Sequence, residues 1–363
     1  MSEPSPGQPQ GTFVGIGGIG WGHFFAIDED RTLGRNESRG ARLLDAQDFF
    51  KLHIVFHMLA VLTSASPSRR PRIVPIGIVG RDGPGRRLVR QMRAIGIDVG
   101  HISSTSDHPT TYGIACQYPD GSGFNIGATN GACATISAPT ARARAAELGP
   151  PDPPVVAVSL PEVPLAARAA FLEAFEQPLV TRVGSFTSAE INRAAEDGHF
   201  GRLDLVAMNE DEAAALAGRP FSANSGGRFL AALAGRVQAL NPAAQIVVTA
   251  GRLGAFACQD GQWDHCPAPD ISIASTAGAG DALLAGVLAG RWAGLPLAAP
   301  ERSGDPFVER QLASAIDVGV LAASYKVQSI DTIPKAATAA AVGRFGRQLG
   351  LDATTGRYWL PTR

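Results

Sequence analysis

The chain has 363 residues, 32 basic and 33 acidic side chains, a formal net charge of −1 and 45% hydrophobic residues. That length suffices for one large α/β domain or two ordinary ones, and the near-neutral charge gives no electrostatic footprint for nucleic acid or for an anionic membrane surface. No run approaches the roughly 18 apolar residues of a membrane helix, and no basic-then-apolar leader opens the chain, so a cytoplasmic protein is expected. The four cysteines, Cys116, Cys133, Cys258 and Cys266, form no CxxC pair and lack zinc-finger spacing, so they read as reduced and structural.

In chain order, residues 1–11 are rich in Pro, Ser and Gly and read as a disordered tail. A short apolar strand at 12–16 runs into a Gly-rich segment, and residues 28–48 are polar with little periodicity, a loop or insertion. Residues 49–62 have apolar side chains at helical spacing, with Lys51, His53 and His57 interleaved. A strand at 72–79 precedes turn chemistry at Gly80-Arg81-Asp82-Gly83-Pro84-Gly85, and 86–95 carries Leu88, Val89, Met92 and Ile95 on one helical face. Short β-like runs at 112–117 and 124–126 flank Pro119-Asp120-Gly121, a hairpin signal. From 154 onward strands and helices alternate: strands at 155–159, 203–207 and 245–249, helices at 165–175, 210–217, 228–240, 279–292, 309–325 and 336–349. Such alternation predicts a parallel sheet covered by helices on both faces. No internal repeat or interdomain linker interrupts it, and 350–363 form a C-terminal extension.

The sharpest chemical signal is Ser275-Thr276-Ala277-Gly278-Ala279-Gly280-Asp281, which opens the apolar helix beginning Ala282-Leu283-Leu284. Small residues leave backbone N–H groups uncovered and a helix N-terminus adds partial positive charge, so an anion can be held there. An Asp at the same point can take a proton from a hydroxyl attacking a phosphoryl group. The plain alternative is a helix start stabilised by an acidic residue. Asn209-Glu210-Asp211-Glu212 has the same two readings, a metal-organising turn or a capped acidic first turn.

The segment 275–281 resembles the D-T-x-G-A-G-D signature of the PfkB/ribokinase family of carbohydrate and nucleoside kinases. Three further matches follow the family's order: Gly80 to Gly85 resembles its G-x-D-x-x-G turn, Asn209 to Glu212 its N-x-x-E motif, and Thr249-Ala250-Gly251-Arg252-Leu253-Gly254 its T-x-G-x-x-G. Together they span about residues 72–330. The resemblance implies a ribokinase-like doubly wound, mainly parallel sheet flanked by helices over 12–349, with a small β lid from about 12–30 and 108–128. It implies ATP and Mg²⁺ as cofactors, Asp281 as base, Gly278, Ala279 and Gly280 as anion hole, Asn209 and Glu212 as organisers of Mg²⁺, and Thr249, Gly251 and Gly254 along the nucleotide. The acceptor is then a small-molecule alcohol, a sugar by family frequency, and the exposed lid edge can pair with a second copy as a homodimer.

Two departures from the family pattern stand out. Ser275 replaces the first Asp of the signature, which often helps order a monovalent-cation site, so activity is expected to be indifferent to K⁺. Neither the acidic residue soon after the first strand nor the Gly-Gly segment leading to an Asn at the next helix, with which the family grips its sugar, is clear here. Lys51 and His53 fall there instead, and Glu162 resembles a substrate-facing acid. For Lys51, His53 and His57 the plain alternative is a helix with its polar residues in solvent, and for Arg35, Asn36, Glu37 and Arg39 a solvated loop.

Gly15-Ile16-Gly17-Gly18-Ile19-Gly20 fits the dinucleotide fingerprint G-x-G-x-x-G, so an NAD(P)-dependent oxidoreductase is the rival enzyme class. However, Trp21-Gly22-His23-Phe24-Phe25 does not continue as a small-residue helix, and no acidic strand end follows about 20 residues on. A third class is a non-catalytic binding protein on the kinase fold. No G-x-x-x-x-G-K-[ST] is present.

Overall fold

The structure, a computed structural model, describes residues 11–64, 70–119, 122–149, 153–221, 226–299, 305–307 and 311–351. Apart from Gly11, Gly350 and Leu351, the expected tail and C-terminal extension lie outside the described residues, as do Asp120 and Gly121 of the expected turn. The chain runs through β1 (Thr12–Ile16), β2 (Gly20–Ala26), β3 (Arg42–Phe49) and α1 (Lys51–Thr63). Next come β4 (Arg72–Gly80), α2 (Gly83–Ala94), β5 (Ile102–Thr105), β6 (Thr111–Gln117), β7 (Gly123–Gly127) and α3 (Ala138–Glu147). Then β8 (Val155–Ser159), α4 (Leu165–Ala174), β9 (Val180–Ser185), α5 (Ile191–Glu196), β10 (Leu205–Asn209) and α6 (Glu210–Ala217) alternate. The C-terminal part contains α7 (Gly226–Leu240), β11 (Gln245–Thr249), β12 (Ala255–Gln259), β13 (Gln262–Cys266), α8 (Ala279–Trp292), α9 (Ala315–Lys326) and α10 (Ala339–Gln348).

Nine strands form one sheet in the order β13-β12-β11-β10-β9-β8-β1-β4-β5. Pairing is parallel except at β11/β12 and β12/β13. All five residues of β1 are buried, as a strand covered on both faces requires. Its side chains alternate between two cores: Phe13 packs with the cluster containing Leu52, Leu88, Leu284, Leu321 and Val342, and Val14 and Ile16 with that containing Ala141, Phe171, Ile191, Ala213 and Leu233. Helices α1, α2, α8, α9 and α10 therefore cover one face and α3 to α7 the other, the doubly wound arrangement the alternation predicts. Where α8 meets α9 the backbones touch: a Cβ on Gly286 would lie 2.6 Å from the Val318 carbonyl oxygen, and one on Gly319 2.9 Å from that of Leu283. Among the described residues no helix is long and apolar enough to cross a membrane.

A second sheet, β3-β2-β6-β7, is antiparallel at its two outer pairs and parallel at β2/β6. Phe24, Ala46 and Ala115 pack from it onto Ala277 and Ile330, so it sits over the turn that precedes α8. Strand β3 corrects the expectation of a loop at 28–48. Only Ala46 of its eight residues is buried, because β3 is an edge strand, and its sequence RLLDAQDF shows no alternation. Thr12–Ile16, expected within the lid, belongs to the large sheet instead. The β12–β13 hairpin, not anticipated from the sequence, turns through Asp260-Gly261, whose positive φ values of 52° and 77° suit the tight turn such a dipeptide makes. Helix α9 starts at Ala315 behind a Ser314 cap, later than the expected 309.

Candidate active site

The ends of β10 and β11, the start of α1 and the N-terminus of α8 line one cleft of 1130 Å³. In an open parallel sheet, the carboxyl ends of the strands are where loops meet a ligand. At α8 the chain turns through Gly278 in the left-handed region, φ 76° and ψ 4°. A Cβ there would also press on Thr332 at 3.2 Å, so glycine is required twice over. The first N–H groups of a helix have no intrahelical partner. That of Ala279 is taken by the Thr276 carbonyl at 3.0 Å, which leaves the positive end of the helix concentrated at Gly280 and Asp281. The Asp281 carboxylate lies 3.5 Å from the Lys51 ammonium.

At the end of β10, the Asn209 side chain accepts from the Glu212 N–H and Glu212 Oε2 accepts from the Asn209 N–H, both at 2.8 Å, a reciprocal capping box. Asn209, Glu210 and Asp211 line the cleft, and Glu212 stands buried behind them, within reach of the Lys51 and Asp281 charges. Thr249, Gly251 and Gly254 line it from the end of β11. Gly254 has φ 92° and its missing side chain leaves room for the Cys266 carbonyl. The early turn at 80–85 lies apart from these residues and holds the two sheets together. Its Asp82 caps α2 through the Gly85 N–H and accepts from the Thr110 N–H, each at 2.8 Å, which ties the entry to β6 to the large sheet.

Lys51 is the hub of the charges. Its backbone N–H donates to Glu162 Oε2 at 3.0 Å, and its ammonium, held well above the ordinary lysine range, faces first Asp281 and then Glu212 and Glu162. Burial pushes Glu162 up to about 8 although Lys51 opposes it, and pushes Glu212 and Asp48 each up to about 6, the latter helped by the Asp281 charge. A folded state that keeps the Glu162 proton while the unfolded chain releases it near 4.5 loses stability as pH rises from about 4.5 to about 8, and the loss then levels off. Glu162→Gln should therefore flatten the Tm profile across that window and gain on wild type as pH rises. Parallel profiles for the two proteins would show that Glu162 ionises alike in both states.

The structure thus brings Lys51, Asn209, Thr249, Gly251, Gly254, Gly278, Ala279, Gly280 and Asp281 to one cleft, with Glu162 behind Lys51. It does not bring His53 there. That ring is 1% exposed, lies 4.7 Å from the Phe49 ring and 5.9 Å from His57, and burial lowers it to about 3. Nor does it face solvent, because α1 is buried almost all round. Arg31 and Arg39 both pair with Glu37, an ion-paired cluster that does not line the cleft. The Gly15–Gly20 segment corrects the oxidoreductase alternative: it leads into strand β2 rather than a helix, and Gly18 lies against the Glu162 carboxylate, where a dinucleotide turn needs a helix N-terminus. Sequence reasoning missed Asp48, Asp331 and Lys326. The first is next to last in a strand that was not anticipated, and the other two are recognised only through contacts distant in sequence.

A family model described as pfkB family carbohydrate kinase matches residues 72–339. No curated protein sequence matches the chain significantly. Among solved structures, ribokinase from Giardia lamblia superposes with TM-score 0.73 at 17% identity, over 93% of this chain and 99% of that one. Ribokinase from Cryptococcus neoformans var. grubii serotype A, in complex with ADP, gives 0.70 at 18% identity over 92% and 99%. The Burkholderia thailandensis nucleoside kinase in complex with inosine gives 0.66 at 17% identity over 94% and 99%.

Proposed function

Because the chain belongs to the pfkB family of carbohydrate kinases and is therefore a phosphotransferase, we propose that it transfers the γ-phosphate of ATP to a hydroxyl of a small molecule, a sugar first among the candidates. Asp281 carries this reading: it stands in the first turn of α8, on the same cleft as the turn at 249–254. The nucleotide phosphates would lie against the N-terminus of α8, with Thr249, Gly251 and Gly254 along the nucleotide. The Asp281 carboxylate would take the acceptor's proton as its oxygen attacks the γ-phosphorus and ADP leaves. Little covalent chemistry is asked of the protein, only alignment and charge neutralisation.

Among the described residues no group of three or more His, Cys, Asp or Glu side chains could hold a metal by itself. Asn209 and Glu212 are already engaged with each other, a donor set that fits an ion brought in on the nucleotide with its waters, as Mg²⁺ usually is. Mg²⁺, when bound, would be held through Asn209 and Glu212 and would neutralise phosphate charge. Glu212→Gln keeps the capping box, since Gln serves at that position too, so the variant should fold. It should need several times more Mg²⁺ for half-maximal turnover, and an unchanged requirement would remove Glu212 from this role.

The acceptor can be found by thermal shift with sugars and nucleosides, each with Mg²⁺ and a non-hydrolysable ATP analogue, because a ligand that binds only the folded state raises Tm. Stabilisation by the analogue together with one acceptor class is the expected result. Stabilisation by NAD⁺ and not by the analogue would overturn the kinase reading, and nucleotide binding without turnover of any acceptor would favour the silent binding protein.

A further inference from the structure

Lys326 is the last residue of α9 and is 0% exposed. A lysine at a helix C-terminus ordinarily runs its stem out to water. This one turns inward, and its Nζ donates to the Ser275 carbonyl at 3.0 Å and to the Ser329 carbonyl at 3.4 Å. The Ala274 and Ser275 N–H groups both donate to the Val327 carbonyl, at 2.7 and 3.2 Å, so the segment entering the Gly-rich turn is zipped to the end of α9. Beyond Ser329 the chain continues the same frame. Asp331 Oδ1 accepts from the Gln47 N–H at 2.8 Å, Thr332 Oγ1 accepts from the Phe49 N–H at 3.0 Å, and Thr332 packs on Gly278.

A buried ammonium is tolerated only where its charge is answered. Its hydrogen bonds here go to carbonyls, and three carboxylates face it from three elements: Asp48 on β3, Asp331 in the loop after α9 and Asp281 on α8. Burial still pulls Lys326 down to about 8, which leaves it charged at neutral pH. Carbonyl oxygens backed by acids are what a bare monovalent cation seeks when it sheds its water, and an ammonium group resembles potassium in size and charge.

We propose that the Lys326 ammonium is a covalently attached monovalent cation for this site, holding the turn at 275–278 against the loop at 327–332 and so fixing where Asp281 stands. Lys326 is thereby a positioning residue: it acts through Ser275 and Ser329 and does not itself reach the cleft lining. The frame it leaves behind, once emptied, should accept a free cation of the same size.

The test uses the full-length protein, measuring turnover and Tm in Na⁺, K⁺, NH₄⁺ and tetramethylammonium chlorides. Wild type should give the same values in the first three. Lys326→Ala should lose on the order of 10- to 100-fold in kcat, as misplacement of a catalytic group does, and should regain both kcat and Tm in K⁺ or NH₄⁺ but not in tetramethylammonium. Lys326→Met fills the space without charge and should lose kcat with no ion response. Wild-type turnover in Lys326→Met, or a Lys326→Ala protein indifferent to every ion, would overturn the proposal, as would strong K⁺ activation of wild type, the measurement that decides if neither variant folds. The turnover arm rests on the kinase reading. Should no acceptor be turned over, the ion dependence of Tm in Lys326→Ala tests the cation frame alone.

Discussion

Asp281→Asn is expected to lower kcat by about 10²- to 10⁴-fold, the usual worth of a positioned general base, while ATP binding survives. Asparagine keeps the size of the side chain and its place in the first turn of α8 but cannot take the acceptor's proton. The groups proposed to hold the phosphates, the helix terminus at Gly280 and the residues along 249–254, are backbone or lie elsewhere. Lys51 loses its partner at 3.5 Å and becomes available to the phosphates, so affinity should be equal or tighter. The measurement is a pair, kcat with the acceptor found by thermal shift and ATP affinity by calorimetry. Near-normal turnover in the folded variant would remove the base from the mechanism, and with it the main reason for reading the 275–281 turn as the site of phosphoryl transfer.

Gly319→Val is expected to destabilise the fold by about 3 kcal/mol, the upper end for overpacking a tight core. Its Cβ would stand 2.9 Å from the Leu283 carbonyl oxygen and 2.9 Å from Val287 Cγ2, and the first of these is backbone that no rotamer change can move. Helices α8 and α9 would have to separate. The readout is the urea midpoint, which should fall while the slope of the transition stays the same. A wild-type midpoint would mean that the two helices slide apart without penalty. Because α8 begins at the proposed base and α9 ends at Lys326, residual folded protein should also be slower.

Much of this architecture was legible because it depends on local chemistry. The strand and helix alternation after residue 154 follows from hydrophobic period, and the turns at 209–212, 249–254 and 275–281 follow from residues that can cap, adopt positive φ or expose N–H groups. What escaped depends on tertiary position. Strand β3 has one buried residue, so its period is invisible, and Asp48 near its end was lost with it. His53 and His57 look like the polar face of a helix until α1 is found buried almost all round. Lys326 is the plainest case, since a lysine in the last turn is what the helix dipole favours in solvent, and only the Ser275 and Ser329 carbonyls reveal that it points inward.

The place of β1 has a consequence for how the chain is made. Among the described residues it is the earliest strand in the chain, yet its two neighbours in the sheet are β4 and β8, the second of which follows it by about 140 residues. At synthesis rates of about 5–20 residues per second, the apolar segment TFVGI emerges on the order of 10 s before both of its edges can be covered. During nascent growth this strand is an exposed edge that a chaperone, or a neighbouring nascent copy, can meet, and its second edge can be covered only once residue 159 has cleared the exit tunnel.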